Sequence, residues 1–500
     1  MNAATALTWL LLLPMLAAPV IYLVGRIAVR RGAGNPARWL AVATLLATGY
    51  PLYFTAQAFS RAGAIELVVG SVALRFDGIS LLVSAVVLGL GTLVALFSTT
   101  YMAGEANEEK YYALLTILIG TIVGLGCAGD LFNLWVWFEA MAISSYTLVA
   151  FYNTQPASLE AGVKYLVQSA AGSALVLLGV ALVFSLTGQL DLLQIHSAVQ
   201  GGSLAAAAAG GLLVIGFGVK TALVPVHTWL PDAHSQAPSG ISAMLSGMVI
   251  EAGLIALLRS VAAISGATAS WGGLLLAMGI LNVVVGNLMA LRQTQVKRLL
   301  AYSSLSHIGY MVLGLGVALG FNNLDGAAGS FFHLINHALM KGLAFLSAGA
   351  LLYVLHVARG DHGPLVLDDL NGASRRYPLT AFAFSVAVLG LGGLPPLAGF
   401  MSKWQIFVAG FETHNLAVML LMVLAALNSV LSLGYYAPLV NRMYRRVPSA
   451  AVSQGLPVSW AMGLPLVVLT LAVVVLGFWP DLASGITLPA ATSLLAAFVH

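Results

Sequence analysis

Four lysines, Lys164, Lys220, Lys341 and Lys403, stand inside apolar stretches long enough to cross a membrane. Glu139 and Glu251 lie at similar depth, and His227, His307, His333 and His337 lie in or beside the same stretches. A charge near the bilayer centre costs at least ~2.5–3.5 kcal/mol on insertion scales. Such groups persist where they pair, line water or move ions. All three residue types exchange protons, and each affinity responds to nearby charge and to loss of water. The string reads as a set of proton-transfer groups carried through an apolar body.

Each group has a spacing that suggests a role. Asp130 opens a span and Glu139 lies nine residues further on. At about 1.5 Å per residue that is ~13–14 Å deep, near the middle of a ~30 Å core. Glu139 reads as a buried carboxylate paired with a lysine; the alternative is a purely structural ion pair. Lys220 precedes Pro225, with His227 seven residues on, and a lysine taken out of water becomes a usable proton carrier. The alternative is a lysine that snorkels to the interface, which its place beside a proline break opposes. Lys403 has the same context, following Gly392-Gly393-Leu394-Pro395-Pro396 and Gly399, and reads as the terminal proton-loading group.

His333, His337 and Lys341 follow one another at four-residue intervals, so they share one helix face. With His307 they suggest a proton relay. A metal pair is the weaker reading, because no third ligand has suitable spacing. Glu251 falls in sequence between Lys220 and His307 and reads as a relay group or a static counter-ion. Lys164, with Glu160 one turn before it, reads as a relay group or an interfacial residue.

The 500 residues are 60% hydrophobic and only 8% charged, where a soluble domain is nearer ~25% charged. The chain is expected to be an all-α, polytopic membrane protein; a β-barrel would show short alternating segments. The single cysteine, Cys127, excludes a disulfide framework and a cysteine-ligated iron–sulfur cluster. No P-loop, dinucleotide fingerprint or nucleophile motif is found, so no cofactor is expected and any redox chemistry belongs to other chains. Gly314, Gly316 and Gly320 sit in a span without a preceding strand and read as close helix packing. The net charge of +4 lies in loops beside spans and implies no nucleic-acid partner.

A window of ~20 apolar residues gives fourteen spans, near 4–25, 37–59, 78–100, 111–128, 131–152, 162–186, 205–229, 239–260, 272–291, 301–320, 327–356, 379–411, 416–440 and 459–480. The tail 484–499 is too short to count. The run Thr8–Val24 has no basic region before it and is followed by Arg26, Arg30 and Arg31, which suits a first span rather than a cleaved signal. Alternate loops hold fourteen basic residues, among them Arg38, Lys110, Arg292, Lys297, Arg298, Arg359, Arg375 and Arg442. The other side holds only Arg61, Arg75 and Arg259. This bias places both termini outside and the arginine loops in the cytoplasm, in a cell (inner) membrane.

Two spans are expected to be broken. The stretch 205–240 carries Pro225, Pro231 and Pro238, and 379–411 is too long for one straight helix and carries the Gly-Gly-Leu-Pro-Pro run. Paired interruptions point to inverted repeats in a transporter. Their expected bounds are 111–260 and 272–440, between N-terminal helices 1–110 and C-terminal helices 441–500. The broken span counts as third of five in the first repeat and fourth in the second.

Asp130-Leu-Phe-Asn-Leu-Trp-Val-Trp-Phe-Glu139 with Ser144-Ser145-Tyr146, Lys220 through Pro238 (KTALVPVHTWLPDAHSQAP), Lys297 through Gly309 (KRLLAYSSLSHIG) and Gly393 through Lys403 (GLPPLAGFMSK) together resemble the proton-pumping antiporter-like membrane subunits. That family includes the D-type chain of multisubunit Na+/H+ (Mrp) antiporters and the antiporter-like subunits of complex I (NADH-quinone oxidoreductase) and membrane-bound hydrogenases. The resemblance covers most of residues 75–445. It implies fourteen helices, two inverted five-helix repeats and a charged axis in the membrane plane. It also implies that Glu139 pairs with Lys220, and that breaking the pair drives a proton through His307 to Lys403. Most relatives have lysine where this chain has Glu251, which reverses one charge of the axis.

The expected function is therefore a proton- or cation-translocating subunit of a hetero-oligomeric complex of hydrophobic subunits, carrying protons alone or protons and Na+. The wording around Glu139, and lysine at position 403, lean toward the Mrp D-type. The alternative is the pumping subunit of a complex I-like or hydrogenase assembly. A self-sufficient enzyme lacks motifs here, and a passive scaffold does not account for the buried charges.

Overall fold

Inside a bilayer every backbone N–H and C=O must find a partner within the protein, so a long apolar run can only be helix. The computed structural model describes residues 2–199, 203–267, 271–360 and 363–498 and places a helix on each of the fourteen runs. The side chain of Arg359 lies outside the described set. Among the described residues, twelve helices are long and apolar enough to cross a membrane: Ala3–Arg30, Ala37–Ala62, Gly78–Tyr101, Glu108–Gly126, Pro156–Thr187, Leu204–Thr221, Ser239–Ala263, Trp271–Ala290, Val296–Phe321, Leu324–Leu355, Leu416–Arg445 and Trp460–Phe478. The Glu139 helix, Leu131–Val149, has 19 residues. The run 379–411 splits into Pro378–Gly392 and Ala398–Glu412. The apolar tail forms a further short helix, Ser484–Ala496, against Gly78–Tyr101.

Both expected breaks are present. The helix Leu204–Thr221 ends at Ala222, held left-handed at φ +59°, and helix resumes at Trp229–Gln236. The second break turns at Gly393, whose φ of +80° suits a residue without a side chain. Counted from Glu108–Gly126 and from Trp271–Ala290, each break falls in the fourth helix of five. The count from sequence, which puts the first break in the third, is one helix short.

The helices are arranged in an apolar coat around a polar middle. Ser239–Ala263 is buried along its whole length and Leu324–Leu355 nearly so. Ala3–Arg30, Ala37–Ala62, Pro156–Thr187 and Leu416–Arg445 lie at the rim and turn residues such as Leu23, Leu46, Val167 and Leu427 outward. Glycines bring the middle helices close. A Cβ on Gly309 would meet the Val283 nitrogen at 2.6 Å, and one on Gly316 the Leu276 nitrogen at 2.8 Å. The Gly314–Gly320 stretch therefore serves packing, as its context suggested.

Two features were not anticipated. Ile65–Val69 and Val72–Phe76 form an antiparallel hairpin, with Ile65 opposite Phe76. Asp130 anchors it: one carboxylate oxygen caps the Glu139 helix by accepting from the Asn133 N–H at 2.6 Å, and the other accepts from the Ala73 N–H at 3.0 Å. Arg259 is not a loop residue. It lies buried in the last turns of Ser239–Ala263 and donates to both oxygens of Asp77 at 2.9 and 3.0 Å, and to the Gly126 carbonyl at 2.6 Å. Burial pushes the Asp77 carboxyl up, but the charge and hydrogen bonds of Arg259 outweigh it and hold the group below the ordinary carboxylate value. A helix terminus with an unpaired arginine reads as an orientation signal; a distant aspartate makes it an internal tie.

Candidate functional site

Lys220 occupies the last turn before the first break and is fully buried. The break leaves backbone groups without helical partners. Asn282, from Trp271–Ala290, supplies two: its Oδ1 accepts from the Val224 N–H at 2.8 Å and its Nδ2 donates to the Ala222 carbonyl at 3.2 Å. Replacing Asn282 with leucine strands both groups, at about 1–3 kcal/mol each. The variant is expected to lower the Tm of the purified protein and to slow transport; an unchanged Tm would mean the break holds itself.

The Lys220 ammonium donates to the Tyr165 hydroxyl at 2.9 Å and to Ser169 Oγ at 3.1 Å. It also sits 4.4 Å from the centre of the Tyr165 ring, which stacks on Trp229 at 3.9 Å. The implied direct pair with Glu139 is not made: among the described residues no carboxylate lies within 4.0 Å of the ammonium, although the Glu139 charge acts on it. Two hydroxyls and a ring face on Pro156–Thr187 lie nearer and take the proton donors. Glu139 itself is half-buried, and among the described residues its buried Oε1 has no hydrogen-bond partner.

The next groups are in hydrogen-bond contact. Glu251 follows a π-helical turn, Leu245–Val249, of a kind often found at functional positions. Its Oε1 meets His337 Nδ1 at 2.6 Å. The His337 ring stacks on His307, with centroids 5.3 Å apart. His307 Nδ1 meets His333 Nε2 at 3.0 Å, and His333 Nδ1 meets Ser402 Oγ at 2.8 Å. Two imidazoles joined nitrogen to nitrogen share one proton between them, a contact along which a proton can pass. Where relatives are expected to hold lysine, Glu251 thus offers a carboxylate to an imidazole.

Lys341, two turns beyond His333 on the same helix, donates to the Leu300 carbonyl at 2.7 Å and to Ser303 Oγ at 2.5 Å; Ser303 in turn bonds Tyr436. Lys403 neighbours Ser402 in sequence. It donates to Ser429 Oγ at 2.9 Å and to the Leu391 carbonyl at 2.8 Å, and lies 4.7 Å from the Tyr310 ring centre. Leu391 is in the last turn of Pro378–Gly392, so the second break turns a negative helix end on this ammonium. Tyr310 contacts His307 and His333 by its ring.

The structure therefore gathers Glu251, His337, His307, His333, Lys341 and Lys403 into one buried cluster, with Lys220 and Glu139 on its flank. Lys164 lies apart. Its side chain is 51% exposed and pairs with Glu160 at 2.7 Å and Asp232 at 3.1 Å, while Asp232 also binds Arg298 at 2.5 Å. His227 is half-buried in the turn of the first break. Sequence reasoning passed over Tyr165, Ser169, Asn282, Ser402 and Ser429, which hold the lysines and the break. Their only sequence signal is polarity inside an apolar run. It also passed over His234, buried in Trp229–Gln236, and took Lys297 for a loop anchor, whereas Lys297 is buried and bonds the Ala237 carbonyl.

Comparison with known proteins places this geometry. Residues 128–429 match the family model described as NADH:quinone oxidoreductase/Mrp antiporter, TM, and residues 66–112 match that described as NADH-Ubiquinone oxidoreductase (complex I), chain 5 N-terminus. NADH-quinone oxidoreductase subunit N 1 of Sorangium cellulosum is 36% identical over 435 residues, covering 83% of each chain. Among solved structures, a chain of the membrane-bound sulfane sulfur reductase, an archaeal respiratory membrane complex, superposes with a TM-score of 0.86 at 27% identity over 99% of each chain. A chain of the Mrp complex from Dietzia sp. DQ12-45-1b has the same TM-score at 22% identity over the full length of both, which shows a shared fold. The chain belongs to the NADH:quinone oxidoreductase/Mrp antiporter family of polytopic membrane subunits.

Proposed function

We propose that this chain is the proton-translocating, antiporter-like subunit of a complex I-like, redox-driven membrane assembly. The observation that carries the reading is the buried run Glu251, His337, His307, His333, Ser402, joined by hydrogen bonds and one ring stack, between Lys220 and Lys403. Protons are the one cargo that such side chains pass without a pore. Na+ would need a cage of oxygens.

Proton release from Lys220 pushes the relay toward Lys403, and Glu139 sets when that happens through its charge on Lys220. The bundles 111–260 and 272–440 act as inverted repeats, with each broken fourth helix ending beside a lysine. Both termini lie on the outer side of the cell membrane, opposite the arginine loops.

The choice of a redox assembly over the Mrp D-type rests on the 36% identity to a subunit N across 435 residues, against a 22% identical Mrp chain. A partner chain is required by Glu139. Its helix turns Phe132, Val136 and Ile143 outward beside the half-buried carboxylate, and a carboxylate at membrane depth does not face lipid.

Gentle detergent purification from native membranes, with an absorbance spectrum of the assembly, tests this. Flavin and iron–sulfur absorbance is the expected result. A colourless assembly of small hydrophobic subunits would overturn it in favour of a secondary Na+/H+ antiporter.

A further inference from the structure

Pro378–Gly392 and Trp460–Phe478 pack side by side, and both begin at the face that bears Arg375, Arg376 and Arg442. The first N–H groups of a helix have no helical acceptor and need one from elsewhere. Neither start is capped by a side chain. Tyr377, before the first helix, sends its hydroxyl to the Leu456 carbonyl at 3.0 Å. Ser459, before the second, turns its hydroxyl to that of Thr100 at 2.8 Å. Among the described residues the N–H groups of Leu379, Thr380, Trp460 and Ala461 have no acceptor. Two helix N-termini, each with its partial positive charge, therefore open beside one another.

Both starts line one cavity of about 480 Å³, together with Arg376. Ligand pockets commonly enclose ~300–1,000 Å³. Thr380 also lines the cavity and is only 2% exposed, yet among the described residues its hydroxyl makes no hydrogen bond. A buried hydroxyl left this way calls for a partner. Arg376 donates through Nη1 to the Ser453 carbonyl at 3.3 Å and through Nη2 to the Gly455 carbonyl at 2.6 Å. Those bonds hold the guanidinium in place and leave further N–H groups for an acceptor. No acidic side chain lines the cavity among the described residues, so every charge at it is positive. The rim is apolar. Trp460 is 67% exposed and Leu379 45%, and one turn further along each helix Leu464 and Phe382 also face outward.

We propose that this cavity binds the headgroup of an anionic phospholipid of the phosphoglycerol class. The phosphate oxygens accept from the free N–H groups of the two helix starts, from the Thr380 hydroxyl and from Arg376, the same means by which helix N-termini hold phosphate elsewhere. The acyl chains lie over Leu379, Phe382, Trp460 and Leu464. A tryptophan at this depth marks the headgroup level of a bilayer. A soluble phosphate would use the polar floor and leave the apolar rim bare; a lipid uses both. A headgroup ending in choline would set a second cation beside Arg376, which favours one that ends in an uncharged polyol. In the orientation proposed above the site faces the cytoplasmic leaflet, where anionic lipids give the surface its negative potential. The site lies outside the buried cluster and holds whichever ion that cluster carries.

The test uses the whole assembly in detergent with a phosphatidylglycerol that carries a photoreactive diazirine on the first carbons of one acyl chain. After irradiation and digestion, mass spectrometry is expected to find the label within 378–382 and 457–464. Unlabelled phosphatidylglycerol should remove it, phosphatidylcholine should compete about tenfold less well, and glycerol 3-phosphate should compete least. Arg376→Gln is expected to weaken labelling by about tenfold, the scale of one hydrogen bond to a charged group. Gly463→Leu is read beside it, and decides the matter if the arginine variant fails to assemble. A Cβ on Gly463 would meet only Leu379 Cδ2, at 3.8 Å, so leucine fills the cavity without forcing the helices apart and should abolish the label. Wild-type labelling in either assembled variant overturns the site, as does equal competition by phosphatidylcholine. Competition by glycerol 3-phosphate as strong as by the lipid would make it a site for a soluble anion and overturn the lipid. No label at these peptides in the wild-type assembly overturns it too, and a cross-link from them to another subunit would give the groove to a partner chain.

Discussion

Replacing Lys220 with alanine is expected to cut proton translocation by about 10²-fold or more, while the assembly still forms. The size follows from the geometry. Lys220 is fully buried at the end of a half-helix, and its ammonium is held by Tyr165 and Ser169, so its place in the chain of groups is fixed. Alanine removes the proton carrier and leaves two hydroxyls that can bond each other or water, so the fold cost is small beside the functional one. Glu139→Gln is expected to give a smaller but clear loss. Glutamine keeps the shape and removes the charge that acts on Lys220 from beyond ion-pair distance. Vesicle acidification beside a native-gel check of assembly reads both. Full translocation by assembled Lys220→Ala would make the lysine a structural residue.

Replacing Arg259 with leucine is expected to destabilise the protein by roughly 3–5 kcal/mol, the usual consequence of removing one partner of a buried ion pair. Asp77 would keep its hydrogen bonds from Ser80 but lose both bonds from the guanidinium and the counter-charge they carry. The Gly126 carbonyl would lose its donor as well. Thermal denaturation of the purified protein measures this as a fall in Tm. The double variant Asp77→Asn with Arg259→Leu should recover part of the loss, because the orphaned charge is gone. The sign of the pH dependence follows from Asp77. Its folded value is depressed, so the stability it confers is present above the unfolded value of about 3.9 and is lost only as pH falls through the lower folded value. Between about pH 5 and 8 the pair should contribute equally. A Tm difference between wild type and Arg259→Leu that changes across that range would count against it.

Much of this molecule is written locally. An apolar run of bilayer length has to become helix, so residues such as 78–100 and 416–440 were assignable without a neighbour in view. Pro225, Pro395 and Pro396 remove donors and block a turn, so both breaks were legible too, although only the helix order put each in the fourth of five. Ionisable residues inside apolar runs are rare enough that Lys220, Glu251, His333, His337, Lys341 and Lys403 stood out, and the four-residue spacing of three of them set one helix face. The Gly70-Ser71 turn between two short runs, Ile65–Val69 and Val72–Phe76, is a hairpin signal hidden beside the far longer apolar spans.

Partnership was not local. Lys164 and Lys220 look alike in sequence, yet one reaches Asp232 at the surface and the other is closed in by Tyr165, Ser169 and Trp229. Arg259 and Lys297 look like loop charges until helices from far along the chain bring Asp77 and the Ala237 carbonyl to them. The carboxylate–imidazole contact between Glu251 and His337 joins residues 86 positions apart. The sequence by itself determined which groups are too costly to leave unpaired in a membrane, because that cost depends on residue type and depth alone. Only the tertiary structure decided which group satisfies which, because hydrogen bonds and charge contacts reach a few ångströms and packing alone sets which side chains come that close.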